Sequence, residues 1–437
     1  MKINFYELEK LSQSEIVQLF KRSEIDIADL KKLVQPIIQD VRDRGDLALI
    51  EYNKKFDKAK MTVDQLKVTE AEFEQARNNL DPEVKKVIEM SATNIKKFHH
   101  AQMPEEMWFT QIDDGIMAGE KITPITSVGI YVPRGKGSFP SVMLMLCIPA
   151  IIANVPKVIV CTPPTADGGV DDASLFTAEI CGVKEVYKVG GAQAIAAMAY
   201  GTDNIPKVHK ALGPGSSYVS AAKRLLYGTI DVGTPAGPSE SIILCDETID
   251  PQLAALDLLI EAEHGQDSTA LLVTHSREVA NQVQALLPDL INDLPKERKD
   301  FCQTVMSNYG GIVLTPNLEA SLQFVNDFAP EHLEVLVKEP MAVLNKIVNA
   351  GEILLGPHTP ITIGNFSLGV NAILPTGGFA KTFSCVTVYD FLKRSSIGYV
   401  TQEGYNKIKD TARKFAEYEG FPSHANAISK RNINSRS

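Results

Sequence analysis

A chain of 437 residues with 44% hydrophobic side chains can bury a large core, and ordinary domain size predicts two or three folding units. Its formal charge of −10 and pI near 5.4 exclude a general nucleic-acid or anionic-membrane surface, because phosphate selects for clustered Lys and Arg. Local basic pockets for small anions stay open. The six cysteines, Cys147, Cys161, Cys181, Cys245, Cys302 and Cys385, include no Cys-x-x-Cys pair and read as buried free thiols.

The opening residues, MKINFYELEKLSQSE, contain no apolar signal region. The longest apolar stretch, residues 142–155, contains Pro149 and is too short to span a bilayer. A reducing cytoplasm is the expected location. Over residues 26–43, Leu30, Leu33, Val34, Ile37, Ile38 and Val41 recur at the spacing of one helix face, which Gly45 closes. Charged, helix-prone sequence continues to about residue 103, so the first hundred residues read as helical. Trp108 then introduces a strand-like segment.

From Ser127, short β-branched runs alternate with helical stretches: VGIYV, KVIVC, EVYKV and KALG. That βαβ rhythm predicts a parallel sheet. Two Gly-rich turns follow these strands, GGAQA at 190–194 and GPGSSY at 213–218, each opening a helix. Their backbone N–H groups can hold a phosphate, or they are simply tight turns. ALLVTHS, GGIVLTP, LEVLV and GEILLG repeat the rhythm, predicting a second α/β unit. After about Cys385 the sequence reads as helical again. The last dozen residues, including SKRNINSRS, read as polar and poorly ordered.

Neither a G-x-G-x-x-G after a strand nor a Walker loop is present. Residues 251–265 predict a helix that places Glu261 and His264 three residues apart on one face. This is the spacing of a Glu-x-x-His metal half-site, and equally of a solvated helix end whose histidine complements the dipole. The segment NDFAPEHLEVLV displays Glu331 and His332 on a loop just before a strand. An adjacent acid and imidazole can divide general-base work, or they are a surface pair with no role. A solvated or structural role suffices for His99, His100, His209, His275 and His358, whereas His424 follows Glu419 by five residues in EGFPSHANA.

Five segments taken together, IDVGTPAGPSE (230–240), LDLLIEAEHG (256–265), NDFAPEHLE (326–334), GVNAILPTGG (369–378) and EGFPSHANA (419–427), resemble the histidinol dehydrogenase family. The similarity in order and spacing runs from about Val34 to the tail. It implies an α/β fold with two incomplete Rossmann-like parallel-sheet domains and small helical N- and C-terminal segments. The implied division is a 1–25 N-terminal arm, a discontinuous first α/β domain of 26–128 with 238–384 carrying catalytic and metal residues, an NAD-side domain of 129–237, and a 385–437 C-terminal segment exchanged between the subunits of a homodimer. The implied reaction is a zinc-assisted, four-electron oxidation of a primary alcohol to a carboxylate in two NAD-dependent steps, the aldehyde being held throughout.

Carried over by position, the resemblance makes His332 the base for the alcohol proton and Glu331 the group that activates water on the aldehyde. It places Ser239, His332, Glu419 and Ala372 at the substrate, and Tyr131, Gln193 and Ser216 at NAD. The zinc set becomes Glu261, His264, Asn365 and His424, with His424 and Glu419 supplied by the neighbouring subunit. Glu261 stands where the family has Gln and Asn365 where it has Asp. The summed ligand charge is therefore conserved, and zinc binding is expected to survive.

Ala372 replaces a substrate-contacting histidine, Ser216 an asparagine and Lys381 an arginine, while Arg134 and Lys136 add charge in YVPRGKGSFP. This pattern leads to the expectation of retained chemistry on a small anionic diol such as (R)-2,3-dihydroxypropane-1-sulfonate, as in relatives of the sulfopropanediol 3-dehydrogenase type. The alternatives are an L-histidinol dehydrogenase of histidine biosynthesis and a non-catalytic zinc- or ligand-binding relative.

Overall fold

Continuous apolar runs such as VIVCT and TALLVT suit strands buried on both faces, and in the computed structural model they are central strands of two parallel sheets. The structure describes residues 1–21, 27–134 and 137–431. Lys136, the last residues of the expected N-terminal arm and residues 432–437, half of the tail expected to be poorly ordered, lie outside the described residues, whereas the tail's first residues, to Ser429, are helical.

In chain order the strands are β1 (Phe5–Glu7), β2 (Met107–Asp113), β3 (Ile116–Pro124), β4 (Val128–Tyr131), β5 (Val158–Thr162), β6 (Val186–Lys188), β7 (Lys210–Leu212), β8 (Glu240–Cys245), β9 (Thr269–Thr274), β10 (Gly311–Leu314), β11 (His332–Leu336), β12 (Glu352–Leu355) and β13 (Leu392–Val400). One parallel sheet has the order β1-β10-β9-β8-β11-β12, and the other β6-β5-β4-β7. Each reverses direction once, between β8 and β11 and between β4 and β7. These are doubly wound α/β sheets, and the crevice at such a reversal is where open sheets bind ligands.

Alternation along the six-stranded sheet divides its apolar side chains between two cores. Ile243, Cys245, Leu272 and Ile312 face helices Pro251–Leu258 and Arg277–Asn292, whereas Ile242, Leu244, Leu271 and Val313 face helix Leu318–Phe328. On the four-stranded sheet, Ile159, Cys161 and Ala211 pack with Val34, Ile38 and Val41 of helix Ile27–Arg44. Val34, Ile38, Val41, Ala48, Leu49 and Leu66, grouped from the sequence with the catalytic domain, thus pack in the core of the other sheet. An amphipathic face reports that a helix is buried but not its partner. Leu33 is 57% exposed because at 100° per residue it lies about a quarter turn from the centre of that face.

By contacts the chain forms two units, residues 1–102 with 125–391 and residues 103–124 with 392–437. The larger contains both parallel sheets. The smaller is an antiparallel sheet of order β13-β3-β2 followed by helices Gln402–Tyr418 and Pro422–Ser429. The stretch after Cys385 is therefore not helical throughout: LKRSSIGYV forms β13. Almost all of its positions are exposed, so it lacks the apolar alternation that marks a half-buried strand, and backbone pairing with β3 defines it. All six cysteines are free and five are buried. No helix among the described residues is long and apolar enough to cross a membrane.

Candidate active site

Helix Leu318–Phe328 ends at Ala329, which adopts the left-handed conformation (φ 55°) rare for a residue with a Cβ; Pro330 then prevents its continuation. The chain emerges at Glu331 and enters β11 at His332. Two bonds pin this corner: Gly351 N–H donates to the Pro330 carbonyl and Glu352 N–H to the Glu331 carbonyl, both at 2.9 Å. A Cβ at Gly351 would lie 2.7 Å from the Glu331 carbonyl oxygen, so only glycine fits.

Parallel register places His332 between Ser241 of β8 and Glu352 of β12. His332 Nδ1 lies 2.8 Å from Glu352 Oε2, while its Nε2 lies 4.0 Å from Glu331 Oε1 and 4.0 Å from Glu261 Oε1. Glu331 Oε2 accepts from the Glu240 N–H at 2.8 Å, and Glu240 Oε1 accepts from the Gly377 N–H at 2.9 Å. Ser239 immediately precedes this strand, its carbonyl accepting from Thr269 N–H at 2.9 Å.

The helix carrying the Glu-x-x-His motif stops at Leu258, shorter than the sequence predicted, and Ala262–His264 is a 3₁₀ turn. Residues three apart nearly eclipse in such a turn, which keeps His264 Nδ1 3.3 Å from Glu261 Oε2. Asn365 Nδ2 donates to Glu261 Oε1 at 3.4 Å, leaving its buried Oδ1 without a hydrogen-bond partner among the described residues. An unpartnered buried amide oxygen beside a carboxylate and an imidazole suits an N/O-ligated divalent cation. No group of three or more His, Cys, Asp or Glu side chains arranged for a metal occurs among the described residues. The set depends instead on the Asn365 amide and a further ligand. His424 and Glu419 belong to the smaller unit, where Glu419 caps helix Gln402–Tyr418 and the exposed His424 ring lies 5.3 Å from that of Phe421.

Burial pushes the Glu331 carboxyl well above its usual range against the opposing charge of His332. Burial also disfavours the His332 imidazolium, but Glu261, the bond to Glu352 and Glu331 together outweigh it and raise the ring to about 9. Carboxylates thus crowd one imidazole, and a divalent cation beside Glu261 would offset that excess.

Two residues along β11, Glu334 is fully buried, and burial followed by the neighbouring Asp257 pushes its carboxyl far above the ordinary range. A raised folded-state value favours the fold below the unfolded carboxyl pKa, and this contribution is lost as pH rises toward the folded value. Glu334→Gln is therefore expected to flatten the fall in Tm between pH 5 and 9, narrowing the gap by roughly 2 °C for a chain of this size. Calorimetry of both proteins at the two pH values measures it; parallel declines would assign the pH dependence elsewhere.

The residues matched to NAD cluster at the carboxyl ends of the four-stranded sheet. Tyr131 ends β4 and its hydroxyl accepts from Gly191 N–H at 3.0 Å. Gln193 is buried in helix Gly191–Tyr200, and exposed Ser216 precedes helix Ser217–Leu226. A Cβ at Gly213 would sit 2.0 Å from the Tyr131 carbonyl oxygen, so this turn also requires glycine. Two helix N-termini thus open beside the β4/β7 reversal, a setting suited to phosphate. Glu240, His332 and Glu352, by contrast, begin their strands, so the cluster of carboxyls around His332 occupies the amino ends of the six-stranded sheet.

Of the altered positions, Arg134 donates to the Pro164 carbonyl at 3.3 Å in the loop after β5, and Lys381 is exposed. Ala372 is half-buried, its N–H directed at Met145 Sδ at 3.4 Å. The site residues that sequence reading missed are Glu240, Gly351 and Glu352. Their only local signal was a glutamate heading an otherwise apolar strand, in ESIILC and EILL.

A buried acid and imidazole at one parallel sheet, with helix N-termini at the reversal of another, define an α/β enzyme of the nucleotide-dependent oxidoreductase class. The family model described as histidinol dehydrogenase matches residues 20–432, and the chain belongs to that family. A protein named histidinol dehydrogenase from Synechocystis sp. is 53% identical over 97% of this chain and 98% of its own length. A histidinol dehydrogenase homolog from Colwellia psychrerythraea is 52% identical, with 98% of this chain and 96% of that protein covered. The crystal structure of histidinol dehydrogenase from Elizabethkingia anophelis matches with a TM-score of 0.93 at 34% identity, covering 98% of this chain and 97% of that one.

The chain is accordingly an NAD-dependent oxidoreductase acting on a CH–OH donor, in a zinc-using family that oxidises a small-molecule alcohol to an acid in two steps. These relatives give no support to the sulfopropanediol 3-dehydrogenase subtype expected from the altered residues.

Proposed function

We propose that the alcohol is L-histidinol and that the cluster around His332 carries out its oxidation to the carboxylate. The observation behind this choice is the 53% identity over nearly the whole chain to a relative named histidinol dehydrogenase. In this reading His332 Nε2 takes the hydroxyl proton in each oxidation, because Nδ1 is engaged by Glu352. Glu331, held by the Glu240 N–H, takes a proton from the water that adds to the aldehyde while the His332 imidazolium returns its proton to the aldehyde oxygen, giving the neutral hydrate and freeing the ring for the second oxidation. Ser239, at the head of β8, and Ala372 line the substrate side, while Tyr131, Gln193 and Ser216 position the dinucleotide.

Glu261, His264, Asn365 and the partner subunit's His424 would hold zinc, with the partner subunit's Glu419 reaching the substrate. When bound, NAD accepts the hydride of each step and zinc supplies positive charge that acidifies the substrate hydroxyl. Exposed apolar side chains support a shared interface on the smaller unit: Phe415, Tyr418 and Phe421 leave it at 64%, 90% and 52% exposure. The protein acts in the cytoplasm in this reading, consistent with its six free cysteines.

A second reading, oxidation of (R)-2,3-dihydroxypropane-1-sulfonate, is favoured by the methyl group of Ala372 where the family resemblance places an imidazole. The cation argument for it weakens, since Arg134 is engaged at Pro164 beside the four-stranded sheet. Comparing NADH release on the two alcohols tests the choice. The expected result is two NADH per L-histidinol and a kcat/KM at least about tenfold above that for the sulfonate, a difference of about 1.4 kcal/mol. The reverse order would replace the first reading by the second. No NADH from either alcohol, with no calorimetric NAD binding, would favour the non-catalytic relative.

A further inference from the structure

We infer that Glu352 is the positioning residue of His332: it fixes the imidazole as the Nδ1–H tautomer and aims Nε2 at the reacting proton. The inference rests on reading His332 as the base and adds a residue that reading does not contain.

The fold leaves the pair little freedom. His332 and Glu352 head neighbouring parallel strands and are direct register partners, so the same pleat carries both side chains. Both are buried, at 4% and 8% exposure, and Nδ1 to Oε2 is 2.8 Å. A carboxylate oxygen only accepts, so Nδ1 carries the proton and Nε2 is left toward Glu331 and Glu261.

A second contact ties the same carboxylate to the amide side of the site. A Cβ on Gly364 would lie 3.0 Å from Glu352 Oε1, so the missing side chain makes room for this oxygen against the backbone that carries Asn365. Oε1 is buried and accepts no hydrogen bond among the described residues. One carboxylate therefore supports the imidazole with one oxygen, while the other occupies the space a side chain at Gly364 would fill. A group placed this way orders the site without touching substrate, and a carboxylate that sets an imidazole tautomer can govern a rate by about 10⁴.

Glu352→Gln keeps the shape but offers Nδ1 an amide that can donate, allowing the opposite tautomer. With two NAD-dependent steps read as NADH release from L-histidinol, its kcat is expected to fall at least 100-fold, with KM for alcohol and NAD within threefold and zinc content unchanged. Glu352→Asp is expected to recover at least tenfold of that loss. In ¹⁵N-histidine-labelled protein the His332 signal should move from the Nδ1–H to the Nε2–H pattern. A Glu352→Gln kcat within threefold of the parent would overturn the inference, as would a loss that tracks zinc content or an unchanged tautomer. His332→Ala run in parallel separates the two claims: full turnover there removes the base reading itself, whereas low turnover beside a normal Glu352→Gln removes only the positioning role.

Discussion

His332→Ala is expected to lower kcat for L-histidinol by about 10²–10⁴-fold, the range that a positioned general base contributes. The prediction follows from geometry: Nε2 is the ring atom left open to the site, and the carboxylate oxygens beside it, Glu331 Oε1 and Glu261 Oε1, each lie 4.0 Å away. NAD affinity should stay within about twofold, because the residues proposed to position the dinucleotide belong to the other parallel sheet, Tyr131 in β4, and to the helices after its strands, Gln193 and Ser216. Stopped-flow NADH formation and calorimetric NAD binding measure the two quantities. Turnover at the parental rate would remove His332 from the chemistry.

Glu331→Gln is expected to separate the two oxidations. The amide still fills the space and can meet the Glu240 N–H with its oxygen, but it takes no proton from water. The first NADH should then appear at close to the parental rate, while formation of the second slows by about 10²–10³-fold. Stoichiometry falls from two NADH per alcohol toward one, and an added carbonyl trap should intercept the aldehyde. Equal slowing of both steps would place Glu331 in the first oxidation as well, and a retained stoichiometry of two at full rate would dismiss it as the water-activating group.

Much of this architecture was legible because parallel strands bury both faces and so appear as unbroken apolar runs. VIVCT and TALLVT announced themselves in this way. Glu331 and His332 were legible for the opposite reason: two ionisable groups abut such a run immediately after a proline. Glu352 was not, because its importance comes from β12 lying beside β11 in register, a relation between residues 20 positions apart. The pairing of β13 was equally silent in a polar sequence. The partner of the helix bearing Val34 and Val41 was hidden too, since periodicity names a buried face without naming what covers it.

The choice of substrate shows a different limit. Ala372 and Arg134 invited an anionic alcohol when viewed as a list of charges gained and lost. Placed in the fold, Arg134 serves the Pro164 carbonyl in the loop after β5, and Glu261 and Asn365, the altered pair proposed to hold zinc, are hydrogen-bonded to one another. The exchange of Gln for Glu at one position and Asp for Asn at the other is then a local rearrangement of one carboxylate and one amide. It carries little information about what the pocket accepts.

The short strand at the start of the chain has a practical consequence for handling the protein. β1 covers β10, and Asn4 secures it through its N–H to the Met306 carbonyl and its side-chain amide to the Gly310 carbonyl. Trimming the first 11 residues would bare the β10 rim as an open template for strand addition, the kind of edge through which chains stack into aggregates. Those few residues act as a guard for the whole six-stranded sheet, and an affinity tag is better placed ahead of them than in exchange for them.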